Sequence, residues 1–234
     1  MAEHLPASKN PTPGMLAFSK TLPFHGTRNP VTHTGRGFRA KFCSQKNRRM
    51  IRCESLLEMS FLFLAEFAKN VIAFDEQPVT ISYRLDGRAR RYTPDFVLHW
   101  ADGRHWYVEV KPSERLNTEE NQLKFGAIAE HFTSLGDVFI TATELEIKIS
   151  TRQYHVRNLL RVRQEQQSLK ASTDPQILLA GDTTFGSFAL TVGGHDQAMQ
   201  LLAHREFSFN LKEELHSNTT ITHFTEADDA ALFI

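Results

Sequence analysis

The chain has 234 residues, 41% of them hydrophobic, with 27 basic and 27 acidic side chains. This length allows one substantial core and a small second domain. No apolar run reaches the roughly 20 residues of a membrane-spanning helix, and the first residues lack the order of a secretory signal, so we expect a soluble cytoplasmic protein. Cys43 and Cys53 are too few for a disulfide framework, and we expect both to be reduced thiols.

The charge is unevenly distributed along the chain. Residues 1–52 carry ten Lys or Arg against one acid, Glu3, and the remaining residues carry a matching negative excess. We expect residues 1–52 to form an extended or irregular basic arm that tracks phosphates, followed by an acidic globular body. The alternative is a solvated tail without a partner. The arm residues that we select as phosphate contacts are Arg36, Arg39 and Arg49.

Glu54–Lys69 is apolar on nearly every side, which predicts a helix that is buried on most faces. A carboxylate such as Glu58 is costly there unless a metal ion or a cation compensates it. Alternatively, Glu58 reaches the surface through a narrow polar stripe that it shares with Glu54 and Lys69. Glu54 lies one helical turn away on the same side and is the second candidate for the same role.

Two successive hairpins follow in the sequence. Val79–Leu85 and Arg88–Thr93 alternate as strands around a tight Asp86-Gly87 turn, and four arginines decorate this hairpin. They could hold a DNA backbone, or they could simply form a solvated face. These four residues are Arg84, Arg88, Arg90 and Arg91.

The second hairpin joins Asp95–Trp100 to His105–Lys111. Counting back from its turn places Asp95 opposite Val110, to within a residue or two. The alternation of the second strand puts Glu109 and Lys111 on one face together with Tyr107, and Trp106, Val108 and Val110 on the other. Sequence alone therefore brings an aspartate, a glutamate and a lysine together.

A helix at Thr118–Phe132 and a short strand at Asp137–Thr141, parallel to an earlier strand, complete a predicted α/β domain over residues 53–150. Residues 151–234 are predicted to form a small winged-helix-like domain, because short helices precede a hairpin. Glu226–Ile234, acidic and then apolar, is expected to be a flexible tail or a docking peptide. The predicted elements of this second domain are a helix at Arg152–Leu169, helical segments at Gln176–Ala180, Thr183–Leu190 and His195–His204, and strands at Glu206–Leu211 and Thr219–Phe224.

Asp95 followed, across a short hairpin, by Glu109-Val110-Lys111 is the signature of the PD-(D/E)xK nuclease superfamily. Taken singly, each motif has an ordinary structural explanation, as a residue that begins a strand or as an exposed charged pair. In combination with Glu58 they offer hard oxygen ligands for Mg²⁺, or for Mn²⁺ in its place. Lys111 would orient the attacking water and offset negative charge in the transition state. We therefore expect a restriction-endonuclease-like domain with a mixed central sheet flanked by helices.

The same residues resemble one family in particular, the TnsA transposon-end endonucleases. The resemblance rests on Ser55-Leu56-Leu57-Glu58, Glu76-Gln77-Pro78, Arg91-Tyr92-Thr93-Pro94-Asp95-Phe96, Val108-Glu109-Val110-Lys111, and the stretch from Leu201 to Leu211. It implies metal ligation by Glu58, Asp95 and Glu109, catalysis by Lys111, and cleavage of the 5′ strand at transposon ends. The family often has an amide where this chain has Glu109, which leaves open whether one metal ion or two is bound.

The resemblance also implies partners. These would be transposon-end DNA, a DDE transposase of the TnsB kind, an AAA+ regulator of the TnsC kind that contacts the second domain, and paired copies of this chain in a complex at the bacterial nucleoid. Two other interpretations stay open. The chain could be an autonomous PD-(D/E)xK nuclease in restriction, repair or junction resolution, or a catalytically silent DNA-binding module.

Overall fold

The structure is a computed structural model that describes residues 39–165 and 182–233. The described strands are β1 (Ala40–Ser44), β2 (Arg49–Cys53), β3 (Val71–Glu76), β4 (Ile81–Leu85), β5 (Arg88–Tyr92), β6 (Phe96–Trp100), β7 (His105–Val110), β8 (Val138–Ala142), β9 (Thr183–Thr184), β10 (Phe207–Ser208) and β11 (Thr220–His223). The described helices are α1 (Leu56–Phe67), α2 (Ser113–Leu116), α3 (Glu119–Ser134), α4 (Glu144–Ile147), α5 (Ser150–Glu165), α6 (Phe185–Val192), α7 (His195–Ala203) and α8 (Glu226–Ala230).

The central sheet has four strands in the order β3-β6-β7-β8. β7 pairs with β8 in parallel, whereas the other neighbours are antiparallel. The mixed sheet predicted from the sequence is therefore confirmed, including its parallel crossover. Phe96 pairs with Val108, so the register continues to Asp95 opposite Glu109, one residue from the predicted partner Val110.

Helices cover both faces of this sheet. On one face the apolar residues of α1 join Trp106, Val108 and Val110 in a large core, and the ring of Phe61 stacks on that of Phe96 at 5.7 Å. On the other face α3 and the β4-β5 hairpin enclose a smaller cluster around Tyr107. The two faces of β7 separate as its alternation predicts. Glu109 thus lies on the α3 side of the sheet.

The expectation of irregular structure throughout residues 1–52 is wrong for its last part. β1 and β2 form an antiparallel hairpin, with Phe42 and Ile51 buried in the core. The hairpin turn is fixed by the buried Glu66 of α1, whose carboxylate accepts hydrogen bonds from Ser44 Oγ and from the amides of Gln45 and Lys46. Two short five-residue strands carry little sequence signal until such a partner is known.

Several further elements were not predicted, among them β3, α2 and α4. β3 pairs with β6 at the edge of the central sheet, and α2 follows β7 directly. β3 carries the residues Val71 to Glu76, whose burial alternates irregularly because the pairing contains a shift between Val71 and Ala73. Because of this shift, apolar and polar residues do not alternate regularly in the sequence of β3.

The carboxyl-terminal half contains β9, α6, α7, β10 and β11, with the three strands in the order β10-β11-β9. The predicted helix at His195–His204 and the predicted hairpin are confirmed, although the first hairpin strand is limited to Phe207–Ser208. The predicted segment Gln176–Ala180 lies outside the described residues. The winged-helix assignment and the division of the chain at residue 150 stay predictions.

The prediction that Glu226–Ile234 is a flexible tail or a docking peptide is wrong for the part that the structure describes. After the short helix α8, Leu232 and Phe233 are buried, and the ring of Phe233 contacts those of Phe61, Trp100 and Trp106. The apolar end of this segment thus completes the core beneath the central sheet, where the ring of Phe233 is buried among other aromatic rings.

Cys43 and Cys53 are both free, as predicted. Of the helices in the described ranges, none is both long enough and apolar enough to cross a membrane.

Candidate active site

The predicted catalytic residues lie together where β6, β7 and α1 meet. Asp95 immediately precedes β6, and its Oδ2 accepts a hydrogen bond of 2.8 Å from the amide of Val110. Glu109 is buried near the end of β7, and Lys111 Nζ lies 2.9 Å from its Oε1. Glu58, in the first turn of α1, lies close enough to Asp95 and Glu109 for electrostatic interaction. The antiparallel hairpin therefore does bring the three charged groups of the motif together.

Tyr92 belongs to the site, although no role was predicted for it from the sequence. Its hydroxyl donates a hydrogen bond of 2.6 Å to Glu109 Oε2, so that the two oxygens of Glu109 are held by different neighbours. Burial, then the charge of Glu109, raises the pKa of Tyr92, and the phenol stays a donor. The only signal in the sequence was its position three residues before Asp95.

Glu58 also has a structural role. Ser55 is the N-cap of α1 and accepts a hydrogen bond from the Glu58 amide, while the Glu58 carboxylate accepts from Ser55 Oγ and from the amide of Glu54. This is a variant of the reciprocal capping box, in which the glutamate satisfies donors at the start of the helix. The motif Ser55-Leu56-Leu57-Glu58 therefore positions the carboxylate as well as starting the helix.

The three carboxylates disfavour one another's charge. Burial raises the pKa of Asp95 well above its ordinary value, and the negative charges of Glu109 and Glu58 raise it further. Burial also raises the pKa of Glu58, against the hydrogen bonds from Glu54 and Ser55. Lys111 is the cation that partly offsets this excess at Asp95. Because its negative charges outnumber its positive charges, the site would be stabilised by a further cation.

An open cleft of about 540 Å³ lies against part of this cluster, while Glu58 and Lys111 are not among its lining residues. Asp95 and Glu109 contribute to its wall, as does Glu54, the second candidate for the helix carboxylate. The cations of its wall are Arg91 and Lys124. Lys124 is the lysine of α3. It was not selected from the sequence, because nothing in a single amphipathic helix shows whether its lysine will face the sheet.

The donor chemistry of the cleft fits a hard divalent cation, since it consists of carboxylate oxygens with excess negative charge. The arrangement is not a closed cage: in the part of the chain that the structure describes, no three carboxylate, imidazole or thiol groups are already placed to hold a metal ion. Glu109 is paired with Lys111 and Tyr92, and Glu58 is turned to the start of its helix. Metal binding by this set would require at least one carboxylate to exchange partners.

The four hairpin arginines divide between two faces. Arg84 and Arg91 are exposed on the outer face of the β4-β5 hairpin, opposite Ala89 and Ser82 respectively. Arg88 and Arg90 share the other face with Tyr83 and Tyr92, whose rings are buried in the smaller cluster. Arg91 is the member of the set that lines the cleft.

The arm arginines have different surroundings. Arg49 is held by the carboxylates of Asp75 and Glu76, at 2.7 and 2.8 Å, and so fastens β2 to β3. This ion pairing gives Arg49 a structural role that the sequence did not indicate. Arg39 is partly buried just before β1. Arg36 lies outside the described residues.

The structure is a mixed α/β domain whose sheet is flanked by helices and carries clustered carboxylates and a lysine. A fold and a site of this kind are compatible with a nuclease. Residues 68–144 match the family model described as the TnsA-like endonuclease N-terminal domain. The resemblance predicted from the motifs is confirmed over this segment, which includes Asp95, Glu109 and Lys111 but not Glu58. The match supports a TnsA-family endonuclease and implies nuclease activity in a Tn7-type transposition system. A search of curated proteins gave no significant match.

Proposed function

We propose that this protein is the metal-dependent endonuclease subunit of a TnsA/TnsB-type heteromeric transposase and that it cleaves the 5′ strand at transposon ends during cut-and-paste transposition. The observation that carries the proposal is the cluster of Asp95 and Glu109 at one cleft, with Lys111 paired to Glu109, inside the segment that matches the TnsA-like endonuclease model. Glu58 supplies a carboxylate from the neighbouring helix.

Asp95, Glu109 and Glu58 would hold Mg²⁺, with Mn²⁺ able to take its place. When bound, the cation would polarise a phosphoryl oxygen of the scissile phosphate and lower the pKa of a water molecule.

The protein's own groups do the positioning. The Val110 amide fixes Asp95, and the Tyr92 hydroxyl fixes one oxygen of Glu109. Lys111, released from Glu109 when that carboxylate changes partner, would orient the attacking water and donate to the oxygen on which negative charge develops. Hydrolysis by this route requires no covalent enzyme intermediate.

We assign residues 151–234 to partner contact, with an AAA+ regulator of the TnsC kind as the partner and a DDE transposase of the TnsB kind acting on the 3′ strand. The support is the order of elements, in which α5 precedes β9, α6, α7, β10 and β11. A helix, a strand, two helices and a hairpin are the parts of a winged-helix domain.

The decisive experiment is cleavage of 5′-end-labelled transposon-end DNA with Mg²⁺, by this protein alone and together with the DDE transposase encoded beside it. We expect cleavage only when the transposase is present. Asp95→Ala and Lys111→Ala should abolish cleavage of the 5′ strand and leave assembly of the complex intact, as measured by DNA mobility shift.

The other interpretations predict different results. Cleavage without the transposase would identify an autonomous nuclease. Absence of cleavage in both reactions, with DNA binding retained, would identify a silent binding module. Normal cleavage by either variant would disprove the assignment of the site.

A further inference from the structure

Lys124 lies in the cleft next to the carboxylates but makes no ion pair with them. Its Nζ is 5.0 Å from the ring centre of Tyr92 and 4.8 Å from that of Phe125. These contacts hold the ammonium group over two aromatic faces. Among residues 39–165 and 182–233, no carboxylate lies within ion-pair distance of Lys124 Nζ.

The environment of Lys111 is different. Lys111 Nζ also approaches the ring of Phe125, at 5.0 Å, but it is paired with Glu109. Lys111 does not line the cleft, whereas Lys124 does. The two lysines thus share the ring of Phe125. Lys124, which faces the open space, has no ion pair within the described part of the chain, and the charges of Glu109 and Asp95 act on it only from a longer distance.

This placement costs the ammonium group part of its solvation. Lys124 is half-buried, and its desolvation lowers its pKa below the usual value, against the charges of Glu109 and Asp95, which act in the other direction. A lysine placed only for solubility would keep its ammonium group in water, which its long stem allows. An anion in the cleft would recover the lost solvation energy.

The substrate of the proposed function needs such a cation. A phosphodiester that approaches Asp95 and Glu109 meets two carboxylates, with Glu54 nearby on the same wall. Phosphate contacts position a DNA strand without reading its sequence, and lysine and arginine provide most of them. Arg91 is exposed on the same wall, at the end of the β4-β5 hairpin.

We infer that Lys124, with Arg91, forms a backbone-phosphate site of the cleft, which holds the strand to be cut against Asp95 and Glu109. This inference rests on the proposed function for its substrate. Lys124 acts on the DNA backbone and not on a base, so its contribution is the same for transposon-end and unrelated sequences. Contacts with the rings of Tyr92 and Phe125 hold the ammonium group of Lys124 in place within the cleft.

The test compares Lys124→Met with Lys148→Met, which removes the same charge from an exposed lysine outside the cleft. Methionine keeps the unbranched stem on the two rings, so the fold is retained, and thermal unfolding checks this. The first measurement is the salt dependence of duplex DNA affinity for the full chain. We expect the slope of log affinity against log salt to decrease by about 0.9 for Lys124→Met and to be unchanged for Lys148→Met.

The second measurement is cleavage by the complete transposase. Lys124→Met should need roughly tenfold more DNA for half-maximal rate, with the maximal rate changed far less, and Lys124→Arg should restore most of the loss. An unchanged salt slope and unchanged half-saturation for Lys124→Met, or an equal effect of Lys148→Met, would overturn the inference. If the wild-type complex cuts no DNA, the proposed function fails, and the salt slope still decides the role of Lys124.

Discussion

At the scale of single residues, the unusual property of this site is how much negative charge it concentrates. Asp95, Glu109 and Glu58 interact electrostatically, and the pKa of Asp95 is raised, first by burial and then by the other two carboxylates. An acid whose pKa is raised on folding lowers stability once the pH exceeds its pKa in the unfolded chain. Above that pH, the folded protein must either ionise the group at an energetic cost or keep a proton that the unfolded chain has released. The clustering of like charges therefore lowers the stability of the protein in the absence of a bound cation.

Asp95→Asn is therefore expected to stabilise the metal-free protein near neutral pH, by about 1 kcal/mol or more. The amide oxygen still accepts the hydrogen bond from Val110, while one of three mutually repelling charges is removed. As the pH falls through the ordinary range of a carboxyl group, the difference should vanish, because Asp95 is then protonated in the unfolded chain as well as in the folded state. Thermal unfolding in EDTA across this pH range measures both effects.

The matched control for this prediction is Asp102→Asn. Asp102 lies in an exposed turn, and the hydrogen bond from the Arg104 amide lowers the pKa of its carboxyl group. Its replacement should not stabilise the protein. Added Mg²⁺ should raise the Tm of the wild type and leave that of Asp95→Asn unchanged. A less stable Asp95→Asn variant at neutral pH would show that the carboxylates do not repel one another as described.

At the scale of elements, the start of α1 connects a capping motif to the site. Ser55 accepts from the Glu58 amide, and its hydroxyl in turn donates to the Glu58 carboxylate at 2.9 Å. Loss of the hydroxyl would leave a helix amide without its partner and would release one restraint on the carboxylate. The helix start thereby determines where the carboxylate of Glu58 points.

Ser55→Ala should lower the free energy of unfolding by about 1 kcal/mol through loss of the cap. It should also slow DNA cleavage, because Glu58 is held less firmly. Ser60→Ala is the control in the same helix, since the hydroxyl of Ser60 only bonds back to the Leu56 carbonyl and alanine is a better helix former. Chemical denaturation and cleavage rates of the two variants give the comparison. If the two variants were equally stable, the Ser55 hydroxyl would not stabilise the start of α1.

At the scale of the whole molecule, the last described residues belong to the same core as the central sheet. The ring of Phe233 contacts Phe61, Trp100 and Trp106, and Asp229 is fully buried in an ion pair with Arg205 at 2.9 Å. Asp229 also accepts from the amide of Asn70, just before β3. The end of the chain is thus fastened to the residue before β3, the strand that pairs with β6 in the central sheet.

Phe233→Ala should lower the free energy of unfolding by about 3 to 5 kcal/mol, the usual cost of removing a buried aromatic ring. Leu190→Ala, at a side chain that is 86% exposed on α6, is the control and should change stability by less than about 0.5 kcal/mol. Denaturant unfolding that is followed by the fluorescence of Trp100 and Trp106 is a direct measurement, since both rings contact Phe233. A Phe233→Ala variant as stable as Leu190→Ala would show that the tail does not belong to the core.

Local patterns predicted much of the fold and the centre of the site. The alternation in His105–Lys111 and the short turn before it fixed the faces of β7 and brought Asp95 within one residue of its partner. These features depend on contacts between residues that are close in the sequence, and the period of a strand decides them. The apolar character of α1 predicted its burial for the same reason.

The order and spacing of Asp95, Glu109 and Lys111 were thus enough to predict that these charged groups meet, because they assemble across one hairpin. The packing of the β1-β2 hairpin and of the chain end into the core could be seen only in the three-dimensional structure, as could the positions of Tyr92 and Lys124 beside the carboxylates. These contacts join residues that are far apart in the chain. Each depends on the packing of whole elements against one another, which no local period records.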